Sequence, residues 1–202
     1  MAKKGEMSRQ QILDAAKVII RDKGMVALSH SAVAEMVGIS KSAVHWHFPT
    51  KYDLLAALID DYVFHLKTEE ERHEQRFIDA GLTPEEAVLP GMWVWFLDFR
   101  CNREGWIGIG SALISLSLTY PEIVEPIRDW YRGLYDKIDR AGIDKTRGTV
   151  AMMVFDEFFN SSKLGIQTLS LERLAAVNDY ILTEAFAGKP EKLKIIRAVT
   201  GD

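Results

Sequence analysis

Apolar residues return every three to four positions along almost the whole sequence, and no stretch alternates apolar with polar in the two-residue rhythm of a half-buried strand. That periodicity predicts an all-α fold. With 202 residues the chain is long enough for a small helical module joined to a larger helical body. Gly24, Gly38, Pro49, Pro84, Gly105, Pro121, Gly142 and Gly188 punctuate the pattern. Caps and breakers predict helices from a Ser8–Gln11 capping box to Gly24, over 32–37, over 41–47 and from Lys51 to about Ala80. Further helices are expected near 84–102, 106–118, 121–140, 146–165 and 170–186, with Pro190–Val199 helical or frayed. Met1–Met7 is short and polar, and reads as an arm that either reaches along a groove or stays unordered.

The formal net charge of −4 conceals an asymmetry. Residues 1–55 hold eight Lys or Arg against five acids, a net of +3, which leaves −7 for the rest. A mildly basic head suits phosphate, and an acidic body does not. The single Cys101 rules out an internal disulfide and fits a reducing compartment. The first residues lack the apolar run of a secretory signal. The longest apolar runs, 87–97 and 107–118, are broken by Pro90 or by serines and are too short to span a bilayer. A cytoplasmic protein without a membrane segment is the expectation.

Two short helices joined by Gly38-Ile39-Ser40, with a third ahead as a brace, have the layout of a three-helix helix-turn-helix unit. Ser29 and Ser40 are the expected N-caps, and Gly38 supplies the turn. In such a unit the second helix of the pair enters the major groove and its leading residues face base edges. Those residues here are Lys41, Ser42 and Ala43. Lys41 can donate to guanine or phosphate, Ser42 can bond either way, and Ala43 can contact a thymine methyl. Val33, Val37, Ile39 and Val44 are the expected internal contacts. By spacing alone the pattern also fits a plain helical hairpin in an enzyme core.

The stretch VAEMVGISKSAVHWHFPTKYDLL, residues 33–55, resembles the DNA-binding signature of the TetR/AcrR family of bacterial transcriptional regulators. Val33-Ala34, Gly38-Ile39-Ser40, His47-Phe48, Lys51 and Leu54-Leu55 match it, and Val44 stands for the family's Leu. The resemblance implies a helix-turn-helix domain over 1–55 and a helical effector-binding and dimerisation domain over 56–202. It implies that His45, His47 and Lys51 hold phosphates on either side of the groove and that Phe48 plugs the small core. Trp46 is expected to lie against sugar and phosphate or to pack on the start of the fourth helix. Lys51 in a first helical turn adds its charge to free amides that attract an anion. His45 stands where the family usually has Tyr; an imidazole gains charge as pH falls, so phosphate affinity is expected to rise with acidity. Ser31 and Ala32 stand where the family often has Arg and Asp.

In the body, the helix near 84–102 is apolar nearly all round, with Met92, Trp93, Trp95, Phe96 and Phe99, which places it mid-domain. Trp106, Ile109, Leu113, Met152, Phe155, Phe158 and Phe159 are its expected neighbours. Arg100, Ser111, Asp156 and Asn160 add polar groups, and Arg100 can pair with Asp156. Such an interior is either ordinary core or the wall of a cavity for an apolar or aromatic small molecule. The resemblance implies an effector site there, with Trp93, Trp95, Phe96, Phe99, Trp106, Asp156, Phe159 and Asn160 as candidate ligand-binding residues. The helices near 146–165 and 170–186 carry apolar residues on more than one face, and the surplus calls for a partner. The resemblance implies that they pair two copies into a homodimer. A dimer of this kind reads a palindromic operator in double-stranded DNA. Inducer release of a repressor is likewise what the resemblance implies.

Other classes leave weaker traces. His65, Glu69 and His73 share one helix face at the spacing of zinc ligands, but Lys67, Glu70, Glu71, Arg72 and Glu74 around them read as a solvated charged face. No metal and no cofactor is expected. Neither a nucleophile with a positioned base, a phosphate-cradling glycine loop nor a buried carboxylate pair is evident, so an enzyme is not expected. An architectural DNA-binding protein that senses nothing is the other alternative.

Overall fold

The computed structural model describes the backbone of residues 2–101, 110, 112 and 116–201, and the side chains of 9–100, 110, 112 and 116–201. Among the described residues there is no strand. The helices are α1 (Ala2–Lys23), α2 (His30–Val37), α3 (Lys41–His47), α4 (Lys51–Asp79), α5 (Pro84–Cys101), α6 (Glu125–Arg140), α7 (Lys145–Lys163), α8 (Leu171–Ala185) and α9 (Pro190–Thr200). Short 3₁₀ turns cover Met25–Ala27 and Pro121–Val124. Most of the helix expected near 106–118 lies outside the described residues, though 116–119 are helical.

One boundary differs from the sequence expectation. α1 begins at Ala2, so Ser8 and Gln11 lie inside the helix, and residues 2–7 belong to it rather than to a separate arm. Ala2, Lys3, Lys4, Glu6 and Met7 all favour helix and only Gly5 opposes it, so the chain need not start at the local cap.

The chain packs as two units, Met1–Phe64 with Glu104–Arg128, and His65–Arg103 with Asp129–Asp202. In the first, α1 packs on α2 and α2 on α3. Ile12, Ala16 and Ile19 of the expected α1 stripe are buried with Leu28, Val33, Val44, Phe48, Leu54 and Leu58. Each large aliphatic side chain among them contributes about 1.5–3 kcal/mol of burial. Lys17 of α1 holds Asp61 of α4 at 3.0 Å.

In the second unit, α5 packs on α7 and α8, and α7 on α8. Phe77, Phe96, Phe155 and Phe186 are fully buried there. α5 opens on a reciprocal cap in which Thr83 N donates to Glu86 Oε2 (3.1 Å) and Glu86 N to Thr83 Oγ1 (3.3 Å). Lys189 and Lys192 each meet the same Glu86 carboxylate at 2.9 Å, tying the start of α9 to α5. Gly91 lets α5 lie close to α4, since a Cβ there would stand 3.1 Å from Glu74 Cγ and 3.4 Å from its Cα. α4 is one uninterrupted helix whose residues fall in both units, so a division at residue 55 cuts within it.

Candidate functional site

The first unit presents α3 as the short second helix of a helix-turn-helix. Ser29 Oγ accepts from Ala32 N (3.1 Å) to start α2, and Gly38, at φ +75°, ends it in the left-handed conformation that a side chain resists. Ser40 Oγ then accepts from Ala43 N (3.1 Å) and α3 begins at Lys41. Val44 is fully buried and Phe48 is 2% exposed, so this side of α3 faces the core. Val33 is buried beside them, while Val37 and Ile39 are half-buried.

The opposite side faces outward. Lys41, Ser42, His45, Trp46 and Lys51 are exposed, and Ala43 and His47 are half-buried. Trp46 is 76% exposed and meets the His47 ring edge-on at 4.7 Å. The start of α4 is occupied by a carboxylate of its own. Asp53 Oδ2 accepts from Thr50 N (2.8 Å) and Thr50 Oγ1 (2.7 Å), while Asp53 N donates to Thr50 Oγ1 (3.1 Å). These bonds hold the Asp53 carboxyl below its ordinary range. Part of the anion attraction expected around Lys51 is therefore met within the helix cap itself.

One residue of this surface escaped sequence reasoning. His30 Nε2 lies 2.7 Å from the Phe48 carbonyl oxygen, and its ring meets His45 edge-on with centroids 5.9 Å apart. Nothing in the local pattern marks it, because its partners lie fifteen to eighteen residues further along.

In the second unit, α5 and α7 build a ring cluster. Phe96 lies 5.2 Å from Phe158 and 5.5 Å from Phe159, and Trp93 lies 5.8 Å from Phe96. Trp95 and Phe99 approach Phe159 at 5.2 and 5.4 Å, and Trp95 also meets Trp130 of α6 at 6.2 Å. Their tilted and edge-on arrangements are those that ring quadrupoles favour. Asp156 is half-buried, and Tyr131 donates its hydroxyl to it at 3.0 Å. Burial, only partly opposed by Tyr131 and by the charge of Lys163, pushes its carboxyl up to about 6.

Two expectations about this cluster are corrected. Asn160 is exposed on α7, a helical step away from buried Phe159, and does not join the rings. Arg100 is exposed with its guanidinium over the Phe96 ring at 5.8 Å, whereas Asp156 is bonded by Tyr131. A guanidinium that can lie over a ring and still reach water has no reason to enter the interior. Trp106, like Ile109, Ser111 and Leu113, lies outside the described residues.

The charged face expected over 65–74 is also corrected. Lys67, Glu71 and Arg72 are exposed, but His73 is 0% exposed, and Glu70 and Glu74 are buried. His73 Nδ1 donates to the Glu69 carbonyl (2.7 Å), and its Nε2 lies 3.1 Å from Asp98 Oδ2. Trp130 Nε1 donates to Glu70 Oε2 (2.7 Å), and Lys137 of α6 bonds Glu70 and meets Glu74 Oε2 at 3.0 Å. Two buried carboxylates thus share one half-buried ammonium, which is the buried carboxylate pair that spacing did not reveal. Burial, partly offset by Lys137 and reinforced by Glu70, pushes the Glu74 carboxyl up to about 7. Burial works against the Lys137 charge too, but its bonds to Glu70 and Glu74 raise it above the ordinary lysine value. Among the described residues no group of three His, Cys, Asp or Glu is placed to hold a metal ion.

Known proteins agree with this geometry. Residues 12–58 match the model of the bacterial regulatory proteins of the tetR family, and residues 99–185 match that of a tetracyclin repressor-like C-terminal domain. The HTH-type transcriptional regulator TtgR of Pseudomonas putida is 34% identical over 53 residues, 26% of this chain and 25% of that protein. The similarity therefore spans about a quarter of the length of the curated relatives it matches. The multidrug binding protein EbrR, solved with imidazole, has a TM-score of 0.65 at 21% identity, over 86% of this chain and 93% of that one. A transcriptional regulator from Rhodococcus sp. Rha1 has a TM-score of 0.67 at 18% identity, over 90% and 97%.

A helix-turn-helix head followed by an all-helical body defines the class. The chain belongs to the tetR family of transcriptional regulators.

Proposed function

We propose that the protein is a repressor that binds a palindromic operator in double-stranded DNA as a homodimer and is released from it by a small apolar or aromatic ligand. The observation that carries this reading is α3. Its inner side is sealed by Val44 and Phe48, while Lys41, Ser42, His45 and Trp46 stand exposed on seven residues of helix. Residues 1–55 are the DNA-reading part in this reading and 56–202 the effector and dimerisation part. Lys41, Ser42 and Ala43 meet base edges, and His45, Trp46, His47 and Lys51 hold the flanking strands. The protein works in the cytoplasm, and no described helix is long and apolar enough to cross a membrane.

The effector inserts among Trp93, Trp95, Phe96, Phe99 and Phe159, with Asp156 and Tyr131 as the polar pair beside them. The multidrug binding protein EbrR was solved with imidazole bound, which supports a ligand site in a fold of this kind. Self-association through α7 and α8 is supported by Met153 and Tyr180, 61% and 66% exposed, with Val150 of α7 and Leu171 of α8 exposed as well. Because α4 is one helix, a ligand that shifts its later turns moves Lys51 with them and changes the spacing of two recognition helices.

Selecting bound duplexes from a random pool tests the reading. Enrichment of a sequence with two-fold symmetry is expected; a pool that stays random at modest ionic strength overturns it. With the selected duplex, Lys41→Ala distinguishes a base reader, which loses discrimination at one position, from a phosphate contact, which weakens all duplexes alike.

A further inference from the structure

We propose that His30, a residue outside the reading face, sets the position of that face by fixing the junction between α3 and α4. The inference rests on α3 being the DNA-reading helix.

A carbonyl oxygen can only accept, so the 2.7 Å contact requires that His30 Nε2 carry a proton and donate it to Phe48 O. That carbonyl belongs to the turn Phe48-Pro49-Thr50, where Pro49 has no N–H to offer. It lies just beyond the last helical amide bond of α3, Phe48 N to Val44 O at 2.9 Å. His30 is the first residue of α2, so one side chain ties the start of α2 to the end of α3. The junction so held carries His45 and His47 on one side and Lys51 on the other. The same imidazole touches the His45 ring edge-on, which restricts where His45 can point. His30 thereby fixes two quantities that phosphate contact needs, the orientation of the exposed imidazole and its separation from the Lys51 ammonium. Asp53, in the first turn of α4, anchors the far side of the same junction through Thr50.

Two substitutions of equal polarity and different reach test this. In His30→Gln the amide nitrogen sits where Nε2 sat and can donate to Phe48 O. In His30→Asn it falls one bond short. Fluorescence anisotropy is run with the duplex selected by the wild-type protein and with a scrambled duplex, below the melting temperature of each variant. His30→Gln is expected to bind the selected duplex within about threefold of wild type, and His30→Asn about tenfold more weakly, the loss of one hydrogen bond of roughly 1.4 kcal/mol. The scrambled duplex, held through the same phosphates in no fixed register, should weaken in the same order by a smaller factor. In ¹⁵N-labelled protein the Nε2–H tautomer of His30 should dominate. Equal affinity of the two variants for the selected duplex overturns the proposal while leaving the functional reading intact, even if His30→Asn melts lower. A wild-type protein that does not tell the selected duplex from the scrambled one overturns both.

Discussion

Replacing Glu74 by Gln removes one of two buried carboxylates that share a single ammonium and leaves the shape of the site almost unchanged. Glu74 is 4% exposed, with Glu70 beside it and Lys137 Nζ at 3.0 Å. Burial pushes its carboxyl from the ordinary 4.5 up to about 7. Between those two values the folded protein holds a proton that the unfolded chain has released, so stability falls as pH rises through the window. At about 1.4 kcal/mol per pH unit, the loss attributable to this group approaches about 3.5 kcal/mol once pH exceeds 7. A glutamine cannot ionise, yet its amide can donate to Glu70 as the protonated acid does. Glu74→Gln and the wild-type protein should therefore unfold at nearly the same urea concentration at pH 5. By pH 8 the variant should be the more stable by about 3 kcal/mol. Urea titrations followed by tryptophan fluorescence at fixed protomer concentration, repeated from pH 5 to 8, measure the difference. A difference that stays constant across the range would refute the reasoning, because it would mean that Glu74 takes up no proton on folding in that window.

Three further outcomes are expected. Phe96→Ala empties the space between Trp93, Phe158 and Phe159 and should cost about 3–5 kcal/mol, visible as a large fall in the urea midpoint. Ser40→Ala removes the acceptor of the Ala43 amide and should cost about 1 kcal/mol, read as a lower unfolding midpoint and weaker binding of the selected duplex. Met153→Glu places a charge on the exposed apolar side of α7 and should convert a dimer to monomers in sedimentation, with circular dichroism unchanged. Sedimentation identical to wild type would remove that face from the proposed self-association.

What could be read from the letters was what is decided locally. Ser29, Ser40 and Thr50 each cap the helix expected of them, and Gly38 turns between α2 and α3, because a cap bond spans only three residues. The α1 stripe of Ile12, Ala15, Ala16 and Ile19 is buried as its spacing predicts. The stretch from Leu58 to Phe77 shows the opposite case. Leu58, Tyr62, Leu66, Glu70, His73 and Phe77 keep one helical stripe through to the end, and all are buried. The charged letters within that stripe drew the reading toward solvent. What reverses it lies far along the chain: Asp98 for His73, Trp130 for Glu70 and Lys137 for both glutamates. An unbroken period was the available signal, and it outweighs the chemistry of the individual residues. The start of α1 failed for a related reason, since a cap motif marks a possible helix start and not an obligatory one. His30 left no trace at all, because a lone histidine after a capping serine is unremarkable until Phe48 is beside it.

The close approach at Gly91 puts bare backbone against the Glu74 side chain. Adding one methyl group there would crowd the stem of an acid whose headgroup is already committed to Lys137. The proton affinity of that acid is consequently open to mechanical tuning. A neutral change on the neighbouring helix can alter when the enclosed acid takes up its proton, without touching a charged atom.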